Sequence, residues 1–163
     1  MLKTVGRDVK SVRAAMEERL VGGFAVGVGV VIFDEYVREC SALVDQVAAD
    51  FETPVFVVFG MGSKVVVIGR SQGHAQKVAL SVSSDSLDEV VLHVGRVCQS
   101  LGGGGHRDAG SATLTGYSPA EAEVALCAAI HSEISGEGAS AIMSQPASFL
   151  TTYGGAIQCA CRC

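Results

Sequence analysis

The residues with most chemical capacity lie in one stretch, LGGGGHRDAGS, Leu101 to Ser111. Four consecutive glycines lead into a histidine, an arginine and an aspartate. Glycine reaches backbone dihedrals closed to other residues. A run of them lets successive N–H groups converge on an anion and lets the main chain come close to a phosphate. His106 can donate to a phosphate oxygen or stack on a base, and Arg107 adds positive charge. The same run also fits a helix C-cap followed by a hinge. It is not a P-loop, because no Gly-Lys-Ser/Thr follows. Nor is it a dinucleotide fingerprint: these glycines follow a helical pattern and precede a strand, the reverse of that order. A second charge stands at the end of an apolar run, in Gly69-Arg70-Ser71. Arg70 reads either as a solvated strand end or as a bidentate phosphate clamp, which suits a planar guanidinium. The four histidines are scattered. His74 reads as a loop residue, His93 as the exposed side of a helix, and His131 as lying near a helix C-terminus.

These residues need a scaffold. Asp8 to Leu20 has helical spacing, with Val9, Val12, Met16 and Leu20 on one face, and Gly22-Gly23 end it. Phe24 to Phe33 alternates between Phe24, Val26, Val28, Val30 and Ile32 on one face and Ala25, Gly27 and Gly29 on the other. It reads as a strand covered on both faces, with a small-residue patch where something packs closely. Tyr36 to Phe51 reads as a helix burying Val37, Cys40, Val44, Val47 and Ala48. Val55–Phe59 and Lys64–Ile68 form a hairpin around Gly60–Ser63. A short strand is expected at Lys77–Val82, a loop supplying an N-cap at Ser83–Ser86, a helix at Leu87–Leu101 and a brief strand at Ser111–Leu114. Ser118-Pro119-Ala120-Glu121 is a capping box opening a helix to about Ile134. Helices alternating with strands, interrupted by a tight hairpin, imply an α/β fold with a mixed sheet of about four to five strands flanked by helices. The division is an N-terminal helix or linker at 1–22, a main domain at 23–136 and a tail at 137–163.

Composition limits the function. The chain has 163 residues, 48% hydrophobic and 18% charged, so it is too apolar for disorder. A net charge of −5 argues against a general grip on a long nucleic-acid backbone and leaves room for a local basic site. With no Trp and 6% aromatics there is little material for a base-stacking platform. The longest apolar run, Leu20–Phe33, is too short to span a bilayer, and no secretory signal is legible. A cytoplasmic setting without membrane association is expected. Cys40, Cys98 and Cys127 fit small buried hydrophobes in a reducing compartment. The terminal C-A-C-R-C of Cys159, Cys161 and Cys163 lacks the C-x-x-C separation of common zinc sites.

The pattern G-G-G-G-H-x-x-A-G-S, preceded by a strand ending G-R-S, resembles the DHHA1 domain of the DHH phosphoesterase superfamily. I-G-R-S and the S-A-T after the glycine motif are most similar to the branch in which DHH and DHHA1 domains precede paired CBS domains and a tRNA nucleotidyltransferase/poly(A) polymerase head. The resemblance spans about Gly23 to Ile134. It implies a substrate-binding role in which Gly103, Gly104, Gly105 and His106 hold a terminal nucleotide or phosphate, with Arg70 and Ser71 at the phosphate. The partner implied is a nucleotide or a short single-stranded nucleic acid. The 71–102 connection is longer than is usual for the family, and Gly110 stands where alanine is usual. The family's chemistry uses a Mn²⁺ pair held by aspartates and histidines of a preceding DHH domain, and no Asp-His-His occurs here. No cofactor is therefore expected in this chain, and hydrolysis would need a DHH domain elsewhere in the protein or in a partner. The alternatives are the binding part of such a Mn-dependent enzyme and a degenerate structural spacer. Ala139–Pro146 is similar to the opening of a CBS domain. The chain ends before one could form, as expected of a truncated or altered reading frame.

Overall fold

The computed structural model describes residues 2–33, 37–73, 75–78 and 87–135. The elements run α1 (Leu2–Ala15), β1 (Glu17–Val21), β2 (Phe24–Phe33), α2 (Cys40–Ala48), β3 (Val55–Met61), β4 (Lys64–Arg70), β5 (Ala75–Val78), β6 (Asp88–Val91), α3 (Val94–Ser100), β7 (Gly104–His106), β8 (Ala109–Thr115) and α4 (Pro119–Ser135). Six strands form one mixed sheet in the order β1-β2-β3-β4-β8-β7, and β5-β6 make a separate ribbon. Among the described residues only β2 and β3 pair in parallel; β1–β2, β3–β4, β4–β8 and β8–β7 are antiparallel.

The sheet carries a core on each face. On one, Phe24, Val26, Val28, Phe56, Val58, Val65 and Val67 pack with Val94, Val97, Leu126 and Ile130 of α3 and α4. On the other, Val31, Val55, Val57, Phe59 and Ile68 pack with Val12 of α1 and with Leu43, Val44 and Val47 of α2. β3 is buried along its whole length, as expected of a central strand covered on both sides. The small-residue patch of β2 is occupied as anticipated: a Cβ on Gly29 would lie 2.6 Å from Met16 Sδ. Ser118 caps α4, accepting from the Glu121 N–H at 3.1 Å, with Pro119 in the first turn. Arg19 of β1 reaches Glu123 of α4 at 2.5 Å. The Gln76 amide of β5 pairs with both the N–H and the carbonyl of Ala25, each at 2.8 Å.

Several boundaries differ from the sequence reading. The first helix ends at Ala15, and residues 17–21 form an edge strand that turns through Gly22 and Gly23 (φ +59° and +85°) into β2. Two consecutive positive φ values are what a tight hairpin requires. The second helix is confined to Cys40–Ala48. The strand expected at Lys77–Val82 is β5, at Ala75–Val78. The helix expected over Leu87–Leu101 divides into β6 and the short α3. His93 is not on an exposed helix face but is the half-buried N-cap of α3, its Nδ1 accepting from Arg96 N–H at 3.1 Å. The sheet therefore has six strands rather than four or five. Cys40, Cys98 and Cys127 are buried and outside any disulfide. Among the described residues no helix is long and apolar enough to cross a membrane. The Ser83–Ser86 loop, His74, the CBS-like segment and the terminal cysteines lie outside the described residues.

Candidate functional site

The second half of the glycine run, Gly104 and Gly105, is strand rather than free loop. α3 ends at Ser100, and Gly102 turns the chain with φ +88°. Gly104–His106 then pairs with β8 as the last strand of the sheet, and Arg107-Asp108 form the hairpin tip. Several glycines are needed by contact, and Gly105 by its φ of +152° as well. A Cβ on Gly103 would collide with the Ser111 carbonyl, and one on Gly105 with the Ala109 carbonyl and Gly110 Cα. From the other side, a Cβ on Gly95 of α3 would stand 2.6 Å from both the Gly105 and His106 carbonyls. α3 therefore lies directly against β7 with little but main chain between them. The hairpin tip is held by the Arg107 carbonyl, which accepts from Val94 N–H at 2.9 Å, and the Asp108 carbonyl, which accepts from Ser71 N–H at 2.8 Å.

The sheet register brings the two named side chains together. Arg70 pairs with Ala109, and Ala109 with His106. Directly opposed residues share a face, so Arg70 and His106 project from the same side with only Ala109 between them. Two strand spacings separate their backbones by about 10 Å. This is the side of the sheet that α1 and α2 cover over β2, β3 and β4. Further across, β8 presents Ser111, Thr113 and Thr115 exposed, while Ala112 and Leu114 are buried on the opposite side. The resulting surface is open and polar: β8 hydroxyls, the bare main chain of Gly104 and Gly105, and His106 at the edge. The A-G-S-A-T-L-T alternation carried the signal for this hydroxyl face, which the sequence reading did not use.

Arg70 is fixed in place. Its Nε donates to Asp45 Oδ1 of α2 at 2.7 Å, and its Nη1 donates to the Gly69 carbonyl at 2.8 Å and the Gly110 carbonyl at 3.4 Å. Ser71 faces back into its own turn, its hydroxyl accepting from Gly73 N–H at 3.1 Å. Arg107 is exposed and meets Asp108 Oδ2 at 3.5 Å, whereas Asp108 Oδ1 is buried without a hydrogen-bond partner. Beneath this corner lies Cys98. Burial pushes its thiol up to about 11, with the Arg70 charge and a backbone hydrogen bond from Gly69 pulling the other way. A Cβ on Gly110 would stand 3.0 Å from Cys98 Sγ, so an alanine at this position would press on this thiol.

Among the described residues no group of three or more His, Cys, Asp or Glu side chains could hold a metal ion. A two-metal hydrolytic centre needs several converging carboxylates and imidazoles. The donor set of the described residues does not fit such a centre.

No family model matches the chain, and no curated protein matches it. Among solved structures, the chain is similar to the C-Ala domain of alanyl-tRNA synthetase from Aquifex aeolicus, at 21% identity and a TM-score of 0.47, over 71% of this chain and 99% of that one. It is also similar to PggH, a pGpG-specific phosphodiesterase from Vibrio cholerae, at 15% identity and a TM-score of 0.46, over 81% of this chain. It spans 40% of the length of that phosphodiesterase. Likenesses at this level carry no residue roles to this chain.

Proposed function

We propose that the chain holds the phosphate-bearing end of a nucleotide or short single-stranded nucleic acid on the open face of β4, β8 and β7, as a DHHA1-type binding module of the cytoplasm. The observation that carries this reading is the shared row of Arg70, Ala109 and His106. Arg70 supplies the fixed charge. His106 supplies a hydrogen bond or a stacking surface. Gly103, Gly104 and Gly105 leave the main chain accessible to a phosphate at the sheet edge, and Ser71 fixes the turn that follows Arg70. Hydrolysis is not assigned to this chain; a DHH domain in the same protein or a partner would supply it.

One observation favours a second reading, a structural spacer: most of the glycine run is accounted for by the packing of α3 and β8 against β7, without any ligand.

A single experiment separates the two. Binding of di- to tetranucleotides is followed by NMR at several salt concentrations. Contact with one or two phosphates gives a log–log salt slope of about −1. Arg70→Gln and His106→Ala are expected to weaken binding at least about fivefold while thermal unfolding shows the variants folded. Unchanged affinity in both variants would leave the spacer reading standing.

A further inference from the structure

The Arg70 clamp already holds an anion. Its Nη1 is turned to two main-chain carbonyls, Gly69 at 2.8 Å and Gly110 at 3.4 Å, so strands β4 and β8 orient the guanidinium. The edge left for a two-pronged anion is that of Nε and Nη2. Asp45 Oδ1 occupies it, 2.7 Å from Nε. The two partners are unequal: the Arg70 side chain is 21% exposed and that of Asp45 60%. Asp45 stands on the outer side of α2, between the buried Val44 and Val47, so its backbone is held and only its side chain is free to turn into water. Nearby acids have cations of their own. Asp50 pairs with Arg13 at 2.6 Å and Asp108 with Arg107 at 3.5 Å.

We propose that Asp45 is a displaceable internal counter-ion of the Arg70 clamp, a residue that tunes the affinity of any anion engaging Arg70 by the cost of its own displacement. The inference rests on the binding reading above. A ligand phosphate takes the Nε edge only by sending the Asp45 carboxylate into solvent. That exchange is easy, because an ion pair with one well-exposed member is weakly held. The cost of freeing Asp45 is the same for a phosphodiester and for a free phosphate, and the displaced carboxylate, its backbone still on α2, repels the phosphate more, because phosphate carries about −1.5 to −2 near neutral pH. Asp45 thus lowers the affinity of every anion at Arg70, the most highly charged most, without touching the ligand.

The test follows backbone amide shifts of β4, β7 and β8 by NMR, and the Arg70 Nε–H signal wherever Arg70 is kept, while inorganic phosphate or the dinucleoside monophosphate ApA is added to the wild type, D45N, D50N and R70Q. D45N is expected to bind ApA about fivefold more tightly than the wild type, with a gain at least as large for phosphate. D50N removes the same charge elsewhere and is expected to change neither. If D45N is unstable, D45S serves in its place. The inference is overturned, with the binding reading intact, if R70Q loses binding while D45N gains none, or if D45N and D50N gain equally. If neither probe binds the wild type or D45N, the binding reading falls and the inference with it.

Discussion

At the scale of single residues, Cys98 shows how closely this corner is built. Its thiol lies under Gly110 and beside Gly69, where burial raises it from the ordinary thiol range to about 11. A raised thiol keeps its proton in the folded state after the unfolded chain has lost it. The stability this contributes is complete below about pH 9 and is lost as pH rises through 11. The unfolding midpoint of the wild type should therefore fall more steeply between pH 9 and 11 than that of Cys98→Ala, whose baseline is lower because a cavity is left; parallel curves would exclude the linkage. Gly95 is the second such position. An alanine methyl would meet two carbonyls of β7, and this overpacking should cost about 1–3 kcal/mol in urea unfolding. The sequence made the chemical residues legible by type, but not their engagement. Nothing in G-R-S announces that α2 places Asp45 on Arg70, because that contact depends on the crossing of a helix over a strand distant in sequence.

At the scale of elements, long amphipathic or β-branched segments were readable and short ones were not. β2, β3, β4 and α4 follow from alternation, from continuous apolar runs and from the Ser118 cap; Ser118→Ala should lower stability by about 1 kcal/mol in chemical denaturation. β1 was read as the end of a helix because Met16 and Leu20 happen to continue the helical period of Val9 and Val12. The correct signal was Gly22-Gly23, a two-residue hairpin turn between alternating segments. β6 and α3 merged for a related reason: Val90, Val91 and Val94 suit either period, and the cap of α3 is a histidine rather than one of the usual capping residues. β7 has no propensity of its own. It is a strand because β8 and α3 hold its main chain from two sides, which is tertiary information. The loop expected at the glycines is thus replaced in part by a sheet edge, and the polar hydroxyl face beside it is legible in the A-G-S-A-T-L-T alternation.

At the scale of the whole molecule, the strand order sets where the protein is firm and where it is open. The centre is β2, β3 and β4, covered by helices on both sides. β1 and β7 are edges, and the β5–β6 ribbon is a separate two-stranded sheet joined to β2 through Gln76. Amide hydrogen exchange should rank accordingly: β3 exchanges only through global unfolding, while β7 and the β5–β6 ribbon exchange through local opening. Equal protection of β7 and β3 would contradict the edge placement. The candidate site therefore straddles a stability gradient. Arg70 ends a central strand, and His106 ends the outermost one.

The four glycines that look interchangeable as letters carry unequal information. Gly103 and Gly105 are pinned by their neighbours, and Gly102 by its positive φ, whereas a side chain on Gly104 would meet open space. Saturation mutagenesis of the run should return three intolerant positions and one permissive one, with Gly104→Ala and Gly104→Ser near wild-type stability. Gly104 is also the register partner of Ser111 on the open face. Within a run of identical codon meanings, one position is thus available for selection to write on, and whatever it writes would stand on the open polar face.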